Sequence, residues 1–236
     1  MRRLRWRAEL AAAAASRRSL VAAGRRLGRA CLRLALLLAP LAATAQSFER
    51  LSPYEEGLYG ERVFVNGDYN TLRNVRTYWQ RESVRLRHMR GCEFSLCGNG
   101  DAILRVTIPT RLLFAPNDTV LTAQADASLR PFLNLVRGDA PMASLVVTCH
   151  SDNNGSERYL DATTAARARS VERWMQRQGV RPARVCSYGA GHHCPRGGDA
   201  TVASRERNRR MTLYFVPGKE MLKLARKDKL NNTMNK

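Results

Sequence analysis

The chain of 236 residues has no apolar run long enough to cross a bilayer. Leu34 to Ala45 comes nearest and falls well short of the roughly 20 residues a spanning helix needs. There is no G-x-S-x-G elbow, no H-E-x-x-H pair and no phosphate-binding glycine loop, so the commonest hydrolase, zinc-peptidase and nucleotide-enzyme signatures are missing. Aromatic residues are few, at 7%, and do not interleave with basic ones as in RNA-binding modules. Acidic residues are also scarce: 20 against 40 lysines and arginines, a formal net charge of +20. A strongly basic chain invites a nucleic-acid reading, but the missing aromatic-basic motif argues against that partner.

The excess charge is unevenly placed. Residues 1–33 hold ten arginines and a single acid, Glu9. The apolar run follows and ends in Ala43-Thr44-Ala45, an A-x-A site. Residues 1–45 therefore read as a secretory signal peptide with a long basic n-region, cleaved before Gln46. An amphipathic organelle-targeting segment is the alternative. Ser16-Arg17-Arg18 has the look of a twin-arginine signal, but further arginines interrupt the path to the apolar core. Cys31 precedes that core and lacks a lipobox, which argues against a lipid anchor. The mature chain keeps 30 basic and 19 acidic residues, net +11, much of it in Arg73–Arg90 and Lys219–Lys236.

Residues 46–100 match no known pattern. Val63-Phe64-Val65 before Asn66-Gly67 predicts a strand and turn. Leu72, Val75, Trp79 and Leu86 fit a helix, while Val84, Leu86 and His88 alternate as in a strand, so both readings stand. Gly98-Asn99-Gly100-Asp101 predicts a turn joining a strand near Phe94 to one at Ile103–Ile108. Ala125, Leu129, Phe132, Leu133 and Val136 form a helical stripe broken by Pro131, which either kinks the helix or lies in its first turn behind a Ser128 cap. Residues 192–204 read as a polar loop. Beyond Pro217, a short basic helix from Lys219 and a disordered end, Asn231–Lys236, are expected.

The most informative stretch is Thr148–Trp174. Leu145-Val146-Val147 predicts a strand, Asp152-Asn153-Asn154-Gly155-Ser156 a turn, and Glu157 onward a helix ending near Gly179. Leu160, Thr164, Arg167, Val171 and Trp174 share one stripe, so Arg167 lies on the face to be buried. A buried charge needs a partner. Asp152 is the local candidate, and the plain reading is a structural ion pair.

Ser151-Asp152-x-x-Gly155 followed by Thr163-Thr164-x-x-Arg167-Ala168-x-x-Val171 resembles the signature of OmpA-like peptidoglycan-binding domains. Ile108–Asn117, Ser187-Tyr188-Gly189-Ala190-Gly191 and Arg205-x-x-Asn208-Arg209-Arg210 through Phe215 resemble the family's flanking motifs in the family's order. The resemblance covers residues 101–217. It implies an α/β two-layer sandwich, β-α-β-α-β-β, with two helices on one mixed sheet. It also implies non-catalytic binding of peptidoglycan, with Asp152 taking the ammonium and Arg167 the carboxylate of diaminopimelate in the stem peptide. Ser151, Thr164, Arg205 and Asn208 fall at further motif positions and complete the expected ligand-binding set. Leu160 stands where the family usually has Asn, and Thr163 where it has Leu, which removes one polar contact and alters packing.

The five cysteines outside residues 1–45 are an odd number in an oxidising compartment. Cys92 with Cys97, Cys186 with Cys194, or Cys149 with Cys186 are the pairings considered, and at least one disulfide involving Cys186 or Cys194 is expected. Cys149-His150 and His192-His193-Cys194 have no recognised metal-ligand spacing, so no metal and no cofactor is expected.

The division expected is a signal peptide at 1–45, an uncharacterised region at 46–100, an OmpA-like domain at 101–217 and a basic tail at 218–236. The resemblance places the protein in the periplasm of a diderm bacterium, associated with the cell wall or outer membrane. Its partners are then peptidoglycan and an outer-membrane or envelope protein, not nucleic acid, with no transmembrane span after signal cleavage. The basic surface fits attraction to anionic wall polymer or lipid headgroups as well as it fits plain solvation. Two rival functions remain: a protein-interaction domain of a secretion or motility assembly that has lost its ligand, favoured by Leu160, and a metal-assisted wall hydrolase using His150, His192 and Cys194.

Overall fold

The computed structural model describes residues 51–138 and 142–231. The signal-peptide reading of 1–45 lies outside them, as does the disorder expected at the C-terminal end, apart from Asn231. Among the described residues, no helix is long and apolar enough to cross a membrane.

Alternation of side chains builds a five-stranded mixed sheet. Its strands are β1 (Glu93–Cys97), β2 (Ile103–Pro109), β3 (Ala143–His150), β4 (Val185–Gly189) and β5 (Arg210–Pro217), in the spatial order β1-β2-β5-β3-β4. Only β3 and β4 run parallel. The register places Leu104, Val106 and Ile108 of β2 beside Phe215, Leu213 and Met211 of β5, and these beside Leu145, Val147 and Cys149 of β3. All nine are essentially inaccessible to solvent. Seven of them are aliphatic or aromatic side chains of Leu, Val, Ile or Phe, and one apolar face of the sheet results.

Helices cover that face. The expected first helix is interrupted at Pro131: α3 (Ala125–Leu129), a 3-10 turn (Arg130–Phe132) and α4 (Leu133–Val136). Proline cannot donate a backbone hydrogen bond, so the kinked alternative is the one realised. The long helix α5 (Glu157–Arg177) is capped by Ser156, whose Oγ accepts from the Tyr159 N–H at 3.4 Å. The whole expected stripe of Leu160, Thr164, Arg167, Val171 and Trp174 is buried. Gly179 ends this unit at φ +90°, where only glycine is at ease.

The fit of α5 on β4 depends on Gly189. A Cβ there would lie 2.4 Å from the backbone nitrogen of Ala165 and 2.7 Å from its Cα. Backbone cannot yield as a side-chain tip can. Gly189→Ala is therefore expected to destabilise the protein by about 3 kcal/mol, measured by urea unfolding. A loss below about 0.5 kcal/mol would mean that the helix and strand have slack here.

Residues 51–101 join the same structure. Ser52 and Glu55 form a capping box on α1 (Pro53–Tyr59), with proline at the first helical position. Asp68 caps α2 (Tyr69–Arg85), accepting from the Thr71 N–H at 2.9 Å and its hydroxyl at 2.7 Å. This settles the helix-or-strand ambiguity over residues 72–88 in favour of helix, with Val75, Tyr78, Trp79 and Glu82 buried at helical spacing. α2 packs on β1, β2 and the basic helix α7 (Lys219–Arg226). Val75, Trp79 and Leu86 share one hydrophobic core with Phe132, Leu145 and Phe215 of the sheet and its helices.

Two expected elements differ. Val63–Val65 is not a paired strand: Gly60–Val63 is a 3-10 turn, and the Val65 N–H and C=O both bond the Asn99 side-chain amide, at 3.2 and 2.5 Å. One side chain replaces a ladder partner. Residues 192–204 are not wholly loop, because Thr201 and Ser204 make a capping box that starts α6 (Val202–Asn208).

Opposite the helices, the sheet is polar, with Arg105, Thr148, His150, Arg210 and Thr212 all buried. α1 lies over this face. The Tyr59 hydroxyl donates to the Glu55 carboxylate at 2.7 Å and lies 3.4 Å from the Tyr214 hydroxyl. The Tyr59 ring packs 5.5 Å from Tyr188.

Candidate functional site

Asp152 follows β3 directly and is 4% exposed. Its carboxylate accepts from Arg209 Nη1 at 2.6 Å, and the Ser151 hydroxyl stands 3.5 Å away. Arg209 in turn pairs with Glu206 on α6. Arg167 is 9% exposed. Its Nε donates to the Asp118 carbonyl at 2.8 Å, and its guanidinium lies 5.3 Å from the centroid of the Phe114 ring. The Asp118 carboxylate accepts from the N–H groups of Val120 and Thr119, which hold its pKa below the usual range, with Arg167 adding to the effect. A tight turn with Asn117 at φ +59° thus delivers a carbonyl to Arg167.

The expected Asp152–Arg167 ion pair is not formed. Each residue is held by a different neighbour, Asp152 by Arg209 and Arg167 by the 114–121 turn. Arg209 is the residue that sequence reasoning missed. It stood inside the R-x-x-N-R-R motif, and only folding brings it to Asp152.

The remaining candidates divide. Thr164 is fully buried. Its hydroxyl donates to the Leu160 carbonyl at 2.8 Å and accepts from the Gly191 N–H at 3.0 Å. The Gly191 carbonyl accepts from the Ser151 N–H at 2.7 Å, so Thr164 supports the Ser151–Asp152 segment through one intermediate residue. Arg205 and Asn208 face another way. Arg205 donates to the Asp199 carbonyl, and the Asn208 amide bonds the Arg196 N–H, the Gly197 carbonyl and the Asp199 carboxylate. Both fasten the 196–199 loop.

None of the expected disulfides is present, and all five described cysteines are free thiols. Cys149 points to the helix face of the sheet and Cys186 to the other. Cys186 lies opposite Val146 in the register, while Cys194 sits beyond His150 at the far end of β3, four residues or roughly 13 Å of strand away. Burial pushes the Cys149 thiol up to about 12 and that of Cys92 to about 11, so neither is a ready nucleophile.

Among the described residues, two groups bring metal-type donors together, Glu55–His150–Cys194 and Glu157–Asp161–His193. His192, expected with His150 and Cys194, belongs to neither. In the buried group the donors are already engaged. Glu55 accepts from Tyr59 and twice from Ser52, and the Cys194 thiol lies 3.0 Å from the Ser52 hydroxyl. Arg210 Nη2 lies 3.3 Å from His150 Nδ1. Arginine has no acceptor, so Nδ1 accepts and neutral His150 carries its proton on Nε2, the wrong tautomer for a ligand through that nitrogen.

Burial holds the His150 pKa well below its ordinary value, and Arg210, Arg196 and Arg105 push it the same way. The unfolded chain therefore binds a proton at His150 that the folded chain refuses. Stability is expected to fall as pH drops below about 6.5, by up to about 1.4 kcal/mol per pH unit for this one group. Urea unfolding at pH 6.5 and 5.5 should show a shallower fall for His150→Gln than for the parent; parallel falls would contradict the assignment.

A mixed α/β sandwich with a buried acidic and a buried basic side chain is the class these features define. Residues 113–209 match the model of the OmpA family. No curated protein matches the chain significantly. Among solved structures, it is similar to a MotB-like protein from Desulfovibrio vulgaris, at 19% identity over 63% of this chain and 94% of that one, with a TM-score of 0.53. It also aligns with the cell wall anchor of the T6SS from Pseudomonas aeruginosa (21%, 62% and 99%, 0.49) and with the periplasmic domain of Helicobacter pylori MotB (16%, 62% and 91%, 0.48). At these identities the likeness is one of fold.

Proposed function

We propose that the protein binds peptidoglycan without catalysis and tethers or scaffolds the cell envelope from the periplasm. The observation that carries this is the state of Asp152 and Arg167: both buried, both charged by type, and not paired with each other. Arg167 has a carbonyl and an aromatic face as neighbours, but among the described residues no carboxylate closes its fork. A ligand carboxylate is the partner that such a guanidinium lacks. Asp152 shares its charge with Arg209, whose side chain is 32% exposed, so an incoming ammonium can compete for it. The two ends of a diaminopimelate zwitterion satisfy both demands. Ser151 offers a hydroxyl beside the ammonium, and the family match supports the assignment.

A second reading is a protein-interaction domain of an envelope assembly that has lost the ligand. Leu160 favours it, being 3% exposed and packed under Gly155 where a polar contact would otherwise lie. Co-sedimentation of the full chain with purified sacculi separates the two. Binding to diaminopimelate-containing sacculi, with little to sacculi whose stem peptide carries lysine, is expected. Equal binding to both, or none, would remove diaminopimelate recognition.

A further inference from the structure

The polar face of the sheet is not fully covered by α1. Between α1, the β1–β2 edge and the 194–196 segment lies a cleft of about 650 Å³. Four arginines line it: Arg105 from β2, Arg210 from β5, Arg196 from the loop and Arg207 from α6. Strand alternation sends Arg105 and Arg210 to this side of the sheet, away from α5 and Arg167.

Two carboxylates also line the cleft, and both are engaged locally. Glu93 accepts from Arg196 Nη1 at 2.8 Å. Glu55 is held by the Tyr59 hydroxyl at 2.7 Å, the Ser52 hydroxyl at 2.9 Å and the Ser52 N–H at 3.0 Å. Among the described residues, the lining carries four arginines and two carboxylates.

Arg210 shows where the imbalance is felt. It is 6% exposed. Its Nη2 donates to the Cys194 carbonyl at 2.9 Å and to His150 Nδ1 at 3.3 Å. Its buried Nε has no hydrogen-bond partner, and no described carboxylate lies within ion-pair distance of it. Burial weakens its hold on its proton, and Arg196 weakens it further. The Glu55 carboxylate acts on Arg210 only at a distance, and a buried cation without a directly bonded anion is costly. The neighbours are fixed in advance. Arg105 Nε donates to the Ser95 hydroxyl at 3.0 Å, and Arg196 Nη2 to the Thr107 hydroxyl at 3.1 Å. Held guanidinium groups lose little freedom when an anion arrives.

We propose that this cleft is a binding site for a phosphate group, gripped by Arg210, Arg207, Arg105 and Arg196. Guanidinium forks match the oxygens of a phosphomonoester in geometry and sign of charge. The phosphate belongs either to a soluble small molecule or to a lipid headgroup. The site lies on the opposite face of the sheet from Arg167, so it is separate from the proposed peptidoglycan groove.

The test uses the full chain and two probes: inorganic phosphate, and phosphatidylcholine vesicles with or without phosphatidic acid. Calorimetric titration with phosphate, at ionic strength held constant with chloride, should show saturable binding together with a rise in melting temperature. Arg207 is exposed, so Arg207→Ala leaves the core intact and should weaken binding about tenfold. Glu93→Gln removes a competing carboxylate and should strengthen it. Binding of inorganic phosphate alone assigns a soluble phosphate. Binding to phosphatidic acid vesicles that millimolar phosphate reverses, and that Arg207→Ala weakens, assigns a headgroup. If neither probe binds saturably beyond chloride, or if Arg207→Ala binds as the parent does, the proposal is overturned.

Discussion

Arg167→Ala is expected to weaken binding to sacculi by roughly thirtyfold or more, and Asp152→Ala by a similar factor. Truncating one partner of a desolvated charge pair costs about 2–5 kcal/mol, at about 1.4 kcal/mol per factor of ten. The two losses have different physical contents. Removing Arg167 deletes the group that takes the ligand carboxylate and also frees the Asp118 carbonyl that its Nε holds at 2.8 Å. Removing Asp152 deletes the ammonium acceptor and leaves Arg209 paired with Glu206 alone. Because both side chains grip one ligand, the double variant should lose less than the sum of the singles. Circular dichroism must show each variant folded before its binding is read. Lys223→Ala in α7 serves as a charge control. Its partner is Glu220 on the same helix turn, and it should matter little, and then mostly at low salt. If folded Arg167→Ala and Asp152→Ala sediment with sacculi as the parent does, their charges serve structure only and the ligand reading fails.

Trp79→Ala is expected to destabilise the whole fold by about 3–5 kcal/mol, the usual range for deleting a buried tryptophan. Trp79 is fully buried, and its indole N–H donates to the Ala102 carbonyl at 2.9 Å, at the entry to β2. Truncation opens a cavity between α2 and the sheet and strands that carbonyl. Fluorescence of the remaining tryptophans and far-ultraviolet dichroism should report one shared, lowered urea midpoint. That outcome makes residues 51–101 part of the domain's stability. If instead α2 melts alone while the sheet keeps its midpoint, this region is a separable appendage.

Elements that depend on neighbours in sequence were legible from the chain alone. The stripe on α5, its glycine end, the β1–β2 hairpin, the break at Pro131 and the basic helix after Pro217 all rest on spacing or turn chemistry within a few residues. So did the identity of Arg167 as a buried charge, since a helical wheel fixes which side of α5 faces inward. The partners of Asp152 and Arg167 were not legible. Arg209 reaches Asp152 from 57 positions away, and the Asp118 carbonyl reaches Arg167 from 49. Nothing in local pattern ranks those encounters above the nearer Asp152–Arg167 pairing.

The cysteines show the same division. Their number and placement allowed several disulfides, but strand register turns Cys149 and Cys186 to opposite faces and puts the length of β3 between Cys186 and Cys194. Val63–Val65 has strand composition, yet a single asparagine side chain satisfies Val65 and no ladder forms. The arginine cleft is the plainest case. Arg105, Arg196, Arg207 and Arg210 lie on four different elements or loops, and each alone reads as ordinary surface charge. Sequence spacing determines which side of its own helix or strand a residue occupies. Which residues of different elements meet, and which charges are buried, is decided only when the sheet closes and α1 settles on its polar face.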